Sequence, residues 1–175
     1  AFLARIKPMV YDLKFEPKVV DLRPNVDNVK NSSNNFYEGV SEKEVEAYYA
    51  KFDTKGNAPS WGLNSKLMKD ASGTIVEKTW KVGGMYGPAI EKIVGWLEKA
   101  AAVAEDSAQK RSLELLVQFY KTGDLKTFDD YSIAWVADTA ARIDVVNGFI
   151  EVYLDAIGKK GSFESTVSMK DLEET

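Results

Sequence analysis

The chain has 175 residues, a formal net charge of −4, no cysteine and no histidine. Its length suits one domain, or one lobe of a larger protein. The missing residue types exclude a Ser-His-Asp triad, a Cys-His pair and a His-Glu-x-x-His zinc helix within this chain. Catalysis by carboxylates alone, and Ca²⁺ or Mg²⁺ bound through oxygen ligands, remain open.

The same sequence argues against two classes of partner. Acidic and basic residues are interleaved along the chain, whereas nucleic-acid binding needs a concentrated basic face. No apolar run approaches the ~18 residues that a membrane span needs, and residues 1–8 lack the pattern of a signal peptide. We therefore expect neither nucleic acid nor membrane as a partner, and a cytoplasmic location.

The sequence of residues 1–35 predicts short secondary-structure elements separated by loops. Three prolines interrupt this segment at short intervals: Pro8, Pro17 and Pro24. A short helix can start at Glu16, because the proline that follows suits the first helical position.

Residues 36–142 predict helices together with one hairpin. Ser41 and Glu44 form a capping box, in which each side chain bonds the backbone N–H of the other residue, so a helix over 42–52 is expected. A β-hairpin is expected near 61–82, because alternating residues, a turn at 70–73 and a β-branched and aromatic run follow one another.

Three helices are predicted after the hairpin. Pro88 marks the start of the first, Ser107 can cap the second, and Gly123 ends it. Thr127 can cap the third, over about 128–141. The short links between these helices favour antiparallel packing.

Residues 143–175 predict strands and a truncated helix. A strand is expected over 145–153 with a bulge at 147–148, and a second extended piece over 163–167. In the acidic segment at the C-terminus, up to residue 175, a methionine and a leucine recur at helical spacing, which predicts a helix that is cut short. The fold class is therefore α+β and helix-dominant: a helical bundle beside a small antiparallel sheet, which could be an incomplete barrel.

Five segments, in the same order and with similar spacing, resemble the dipeptidyl peptidase III family. They are 35–40 (NFYEGV), 61–67 (WGLNSKL), 77–86 (EKTWKVGGMY), 121–129 (KTGDLKTFD) and 146–153 (VNGFIEVY). The resemblance implies a two-lobed zinc exopeptidase that releases dipeptides from peptide N-termini. It also implies that the zinc helix, His-Glu-x-x-x-His, lies downstream in the full-length protein. This chain is then a single substrate-cleft lobe over 1–175, with no catalytic residue, metal ligand or cofactor of its own.

The resemblance assigns roles to a few residues. The family's F-I-E-S-Y strand lines the cleft, and the matching residues imply that Glu151 accepts the substrate's N-terminal ammonium while Tyr153 contacts the peptide backbone. Such an ion pair is chemically sound, because a fixed carboxylate binds an amine strongly. Asn147 and Glu164 are further candidates for lining the cleft.

This sequence departs from the family pattern directly after that strand. Family members continue Y-x-D-P-x-G, whereas the proline position here is Ala156. The loss of proline predicts a less constrained turn after Tyr153. Val152 replaces the usual serine, and alternation predicts that it lies on the face opposite to Glu151.

Other interpretations stay open. The chain could be a non-catalytic helical module that binds a peptide or protein, or a carboxylate enzyme using Asp129, Asp130 or Glu151. Glu151 could also be a solvated surface carboxylate. The partners expected from the family are an oligopeptide substrate and the missing zinc-binding lobe, and an open sheet edge would allow self-association.

Overall fold

The computed structural model describes residues 2–12, 19–171 and 173–174. Its helices are α1 (Phe2–Tyr11), α2 (Asn28–Asn31), α3 (Glu42–Tyr49), α4 (Gly87–Ala102), α5 (Ser107–Thr122) and α6 (Leu125–Ala137). Its strands are β1 (Tyr37–Glu38), β2 (Ser65–Lys69), β3 (Ile75–Thr79), β4 (Ile143–Glu151) and β5 (Ser162–Met169). Helices dominate and neither sheet closes, so the α+β class is confirmed.

The N-terminal region contains more helix than its prolines suggested. Helix α1 runs through Pro8, and none of its residues is buried. An interior proline removes one helix hydrogen bond and its ring crowds the carbonyl four residues earlier, so this exposed helix forms in spite of a local cost of about 3 kcal/mol. The short helix predicted at Glu16 lies outside the described residues.

The predicted hairpin is present, and it carries one unexpected strand. Strands β2 and β3 pair antiparallel, and the Asp70 carboxylate fixes their turn by accepting the N–H groups of Ser72 at 2.8 Å and Thr74 at 3.0 Å. Strand β1 adds to β2 in parallel orientation. The sequence did not predict β1, because two residues are too few to show a period.

Helix α3 starts with the capping box that the sequence predicts. The Ser41 N–H donates to Glu44 Oε2 at 2.9 Å, and the Ser41 hydroxyl accepts from the Glu44 N–H. Glu44 also pairs with Lys69 of β2 at 2.7 Å. The bonds from Lys69 and Ser41 lower the pKa of Glu44 to about 2.

Helices α4, α5 and α6 follow one another as predicted, but two of their caps differ. Asp106 caps α5, accepting the N–H groups of residues 108 and 109 at 2.8 and 2.9 Å, so the expected cap at Ser107 is wrong. Asp124 caps α6 and also accepts the Thr127 hydroxyl at 2.7 Å, so Thr127 is not the cap. In both cases the acidic residue lies earlier in the chain and can accept two donors at once.

Strands β4 and β5 form an antiparallel pair, and the expected bulge lies elsewhere. The pairing irregularity falls between Phe149 and Glu151, whereas Gly148 pairs regularly with Glu164. The absence of a side chain at Gly148 lets the strand pack closely against Phe128, because a Cβ atom there would lie 3.1 Å from the Phe128 ring. The C-terminal helix is not formed at residues 170 and 171, and 173–174 are a turn.

The main core lies between the helices and both sheets. Trp80 joins them, with its ring centroid 4.7 Å from that of Phe149 on β4 and 6.2 Å from that of Phe36 before β1. Tyr120 of α5 packs edge-on against Phe149. A second, smaller cluster surrounds Val45 of α3. The β4–β5 pair is thus held against the bundle through one face of β4.

Candidate functional site

Glu151 ends β4 and is exposed to solvent. It pairs with Ser162 across the sheet, directly after the irregularity at Phe149. Its carboxylate has no hydrogen bond or ion pair with another described residue. Tyr153 follows in a turn, and 67% of its surface is exposed. Both residues are therefore exposed at or just after the end of β4.

Asn147 lies inside the protein and not on that rim. It is 7% exposed. Its side-chain oxygen accepts a hydrogen bond from the Tyr120 hydroxyl, and its amide donates to Ser165 Oγ at 2.9 Å. Burial raises the pKa of Tyr120, so the phenol stays a donor. Asn147 therefore links α5, β4 and β5, which fixes the position of the strand that ends at Glu151.

Glu164 lies on β5, opposite Gly148, and is partly exposed. It belongs to the same two-stranded sheet as Glu151. Ile150 and Val152, which flank Glu151, both line a cleft with Trp61 and Phe128. This arrangement fits the predicted alternation, in which Val152 faces away from Glu151.

The Asp155 side chain anchors the turn after Tyr153. Its buried carboxylate accepts the backbone N–H groups of Lys159 at 2.8 Å and Lys160 at 2.9 Å, and the Tyr37 hydroxyl at 2.7 Å. Burial and this carboxylate raise the pKa of Tyr37. The Asp155 carboxylate thus anchors this turn, and the expectation that the loss of proline leaves it less constrained stays a prediction.

A buried cation next to this turn is the main feature that the sequence did not reveal. Lys160 is fully buried. Its ammonium donates to the Tyr49 hydroxyl, to Ser65 Oγ at 2.8 Å and to Glu77 Oε1 at 3.5 Å. Tyr49 and Ser65 each donate to the same Glu77 oxygen at 2.5 Å. We call these four residues the Lys160 cluster.

Burial governs the electrostatics of the Lys160 cluster. It lowers the pKa of Lys160 to about 8, although Glu77 opposes the shift by attracting the charged form. Burial and the negative charge of Glu77 raise the pKa of Tyr49. The sequence offered no signal for this cluster, because a lysine between glycines in a loop is usually solvated.

The described residues do not fit a zinc site. The sequence has no histidine or cysteine, and no group of three or more carboxylates in the described ranges could hold a metal ion. Asp130 pairs with Lys126 at 2.8 Å on the surface of α6, and partial burial raises the pKa of its neighbour Asp129.

No helix in the described part is long and apolar enough to cross a membrane.

Comparison with known proteins identifies the family. The model of "Peptidase family M49" matches residues 25–175. The chain belongs to peptidase family M49. Dipeptidyl peptidase 3 from Rattus norvegicus is 36% identical over 86 residues, and that from Homo sapiens is 34% identical over 86 residues. The resemblance to the dipeptidyl peptidase III family is thereby confirmed.

Solved structures share the fold of this M49 chain. The structure of dipeptidyl-peptidase III from Corallococcus sp. strain EGB matches 87% of the chain, with a TM-score of 0.64 and 24% identity. That of DPP III from Caldithrix abyssi matches 80%, with a TM-score of 0.64 and 22% identity. The chain spans 12% of each of the two curated relatives, and 28% and 26% of the two solved structures.

The depressed pKa of Lys160 predicts an unusual rise of stability with pH. An unfolded lysine titrates near pH 10.4, as a typical value, whereas Lys160 in the fold has a pKa of about 8. Between pH 8 and 10 the unfolded chain therefore binds the proton that the folded chain has lost. The free energy of unfolding should increase by roughly 1–3 kcal/mol across this window.

Above about pH 10 the trend should reverse. Unfolded tyrosines then ionise, whereas burial keeps Tyr37 and Tyr49 protonated in the fold. Urea unfolding at several pH values measures both limbs. Lys160→Met should remove the rise, and the neighbouring control Lys159→Met should retain it. A flat profile in the unsubstituted chain would contradict the assignment.

Proposed function

We propose that this chain forms the substrate-cleft lobe of a zinc-dependent exopeptidase that releases dipeptides from peptide N-termini. Glu151 binds the free ammonium of the substrate. The observation that carries the proposal is the state of Glu151: it is exposed and has no internal cation in the described part of the chain. An unpaired carboxylate at a fixed strand end is well suited to a ligand's ammonium.

The neighbouring residues have separate roles in this proposal. Tyr153 contacts the peptide backbone from its exposed position. Glu164 lines the cleft from β5, and Asn147 acts as a positioning residue, because it is buried under β4. Strand β4 pairs only with β5 among the described strands. Its other edge can hold an extended peptide by β-addition.

The zinc and its ligands lie outside this chain in the proposal. The family's zinc chemistry would be supplied by a second lobe, since the sequence has no histidine or cysteine and the described part of the chain holds no metal-binding group of carboxylates. The partners are therefore an oligopeptide and that zinc-binding lobe. This chain's own contribution is to bind and orient the N-terminus, which fixes the distance from the ammonium to the scissile bond.

A non-catalytic interaction module is the second candidate. It is favoured by the large apolar side chains that β5 leaves in solvent, namely Phe163, Val167 and Met169, which are 46%, 68% and 71% exposed. Patches of this kind often mark interaction sites. A module of this type would bind a peptide without regard to its terminal amine, so the two candidates differ in a measurable property.

We also propose self-association through β5. Among the described strands, β5 pairs only with β4 and so has a free edge, and unpaired edges are templates for another strand. We expect concentration-dependent dimers in sedimentation velocity. Val167→Lys should shift the population to monomer, and the control Val103→Lys, at another exposed valine, should not. A purely monomeric chain at all concentrations would contradict the proposal.

Recognition of the amine can be tested by NMR titration of the chain. A tetrapeptide with a free amine should bind about tenfold more tightly than its N-acetyl form, because it keeps the charge-assisted hydrogen bond. Glu151→Gln should remove this preference. Glu91→Gln, at an exposed carboxylate of α4, should keep it. Equal binding of the two peptides by the unsubstituted chain would favour the interaction module.

The isolated chain should not hydrolyse peptides. A dipeptidyl naphthylamide reporter should remain intact with the purified chain, both without metal and with added Zn²⁺, because the sequence has no histidine or cysteine and the described residues hold no group of carboxylates suited to the metal. Equilibrium dialysis should show no stoichiometric zinc. Hydrolysis that follows the chain through purification would contradict the proposal.

A further inference from the structure

We propose that the cleft beside Trp61 binds a small carboxylate that carries an apolar ring, with Lys159 as its cationic partner. The cleft has a volume of about 520 Å³ and lies between the segment 54–63, the connection from β4 to β5, and Phe128 of α6. Small-molecule sites typically occupy about 300–1,000 Å³. Glu151 does not line this cleft, so the proposal does not rest on the peptidase role.

Lys159 supplies the one charge among the described residues that line the cleft. It is partly buried, and its ammonium lies 5.2 Å from the centroid of the Tyr49 ring, which belongs to the same wall. Its other contact within the described part of the chain is made by its backbone N–H, which donates to Asp155. No carboxylate there pairs with its ammonium. An anion in the cleft would therefore gain an ion pair that the chain itself does not provide.

The carboxylates close to this connection are engaged elsewhere. Asp155 accepts two backbone N–H groups and the Tyr37 hydroxyl. Glu77 contacts the ammonium of Lys160 at 3.5 Å. Neither carboxylate lines the cleft, so the wall contains no negative charge that would repel an anion bound beside the lysine.

Repulsion between two ammonium groups gives a second reason to expect an anion. The Nζ atoms of Lys159 and Lys160 lie 5.2 and 4.9 Å from the centroid of the same Tyr49 ring. Burial is the main cause that lowers the pKa of Lys160, and the positive charge of Lys159 adds to the decrease. An anion beside Lys159 would relieve this repulsion, because it offsets the charge that disfavours a protonated Lys160.

The rest of the wall determines the body of the ligand. Trp61 and Phe128 provide aromatic surface, and Leu63, Ile150 and Val152 provide aliphatic surface. A planar apolar ring can pack against such side chains. A carboxylate joined to a ring therefore suits both parts of the cleft, whereas a wholly apolar ligand would leave the ammonium without a partner.

Two probes of matched shape test this inference: 3-phenylpropionate, and its neutral amide, 3-phenylpropionamide. Indole N–H signals in ¹H–¹⁵N spectra report binding, because Trp61 is the one tryptophan of four among the described residues that line the cleft. The acid should shift the Trp61 signal and leave the other three in place. It should bind about tenfold more tightly than the amide, because only the acid forms a charge-assisted contact with Lys159.

A substitution and a matched control complete the experiment. Lys159→Met should abolish the preference for the acid and keep weak binding of the amide, because the apolar wall is unchanged. Lys92→Met, at an exposed lysine of α4 outside the cleft, should keep the preference. The inference is overturned if the Trp61 signal does not move with the acid up to the solubility limit, if the amide binds as tightly as the acid, or if Lys159→Met retains the preference.

A peptide with a C-terminal carboxylate separates the two sources of such a ligand. N-acetyl-Gly-Gly-Phe presents the same ring and carboxylate but has no free amine for Glu151 to bind. Weaker binding of this peptide than of 3-phenylpropionate supports a small acid as the ligand. Tighter binding overturns that assignment and identifies the cleft as a site for peptide C-termini.

Discussion

The ammonium of Lys160 is the point at which separate parts of this chain are joined. A fully buried lysine is tolerable only when its three donors have partners, because an unpaired buried charge costs several kcal/mol. Tyr49 of α3, Ser65 of β2 and Glu77 of β3 provide three acceptors. Lys160 itself comes from the connection between β4 and β5. One side chain therefore fixes the second sheet against the first.

The position of the candidate site follows from this constraint. The connection between β4 and β5 is also held by Asp155, and by Gly161, whose N–H donates to the Leu63 carbonyl at 2.8 Å. A Cβ atom at Gly161 would lie 2.9 Å from the Phe149 carbonyl oxygen, so the close approach needs glycine. The carboxylates of Glu77 and Asp155 accept hydrogen bonds from other residues inside the protein. Glu151, on the same connected structure, remains exposed, and this difference supports its proposed role in binding a ligand.

Local chemistry made part of this structure predictable. The capping box at Ser41, the turn at Asp70 and the stop at Gly123 each depend on residues that are close in sequence, and all three were found as expected. The caps of α5 and α6 were misassigned by one to three residues, because several polar residues competed and the choice depends on which carboxylate reaches two donors.

Long-range features could not be predicted from local patterns. The Lys160 cluster brings together residues up to 111 positions apart, and nothing in the loop sequence marks its lysine as buried. The inward position of Asn147 depends on Tyr120, 27 positions earlier. The family resemblance correctly indicated that the strand ending at Glu151 belongs to an M49 chain. The contacts that hold this strand in place are long-range, so the periodicity of the sequence does not reveal them.

Hydrogen exchange of Lys160→Ala tests most directly whether the Lys160 cluster holds the β4–β5 pair in place. Removing the lysine leaves Glu77 and Tyr49 without their buried partner but does not touch the interface between α4 and α5. The account predicts that backbone amides of β4 and β5 exchange roughly ten- to a hundredfold faster than in the unsubstituted chain, and that amides of α5 accelerate much less. Equal acceleration in all elements, or none in β4 and β5, would contradict it.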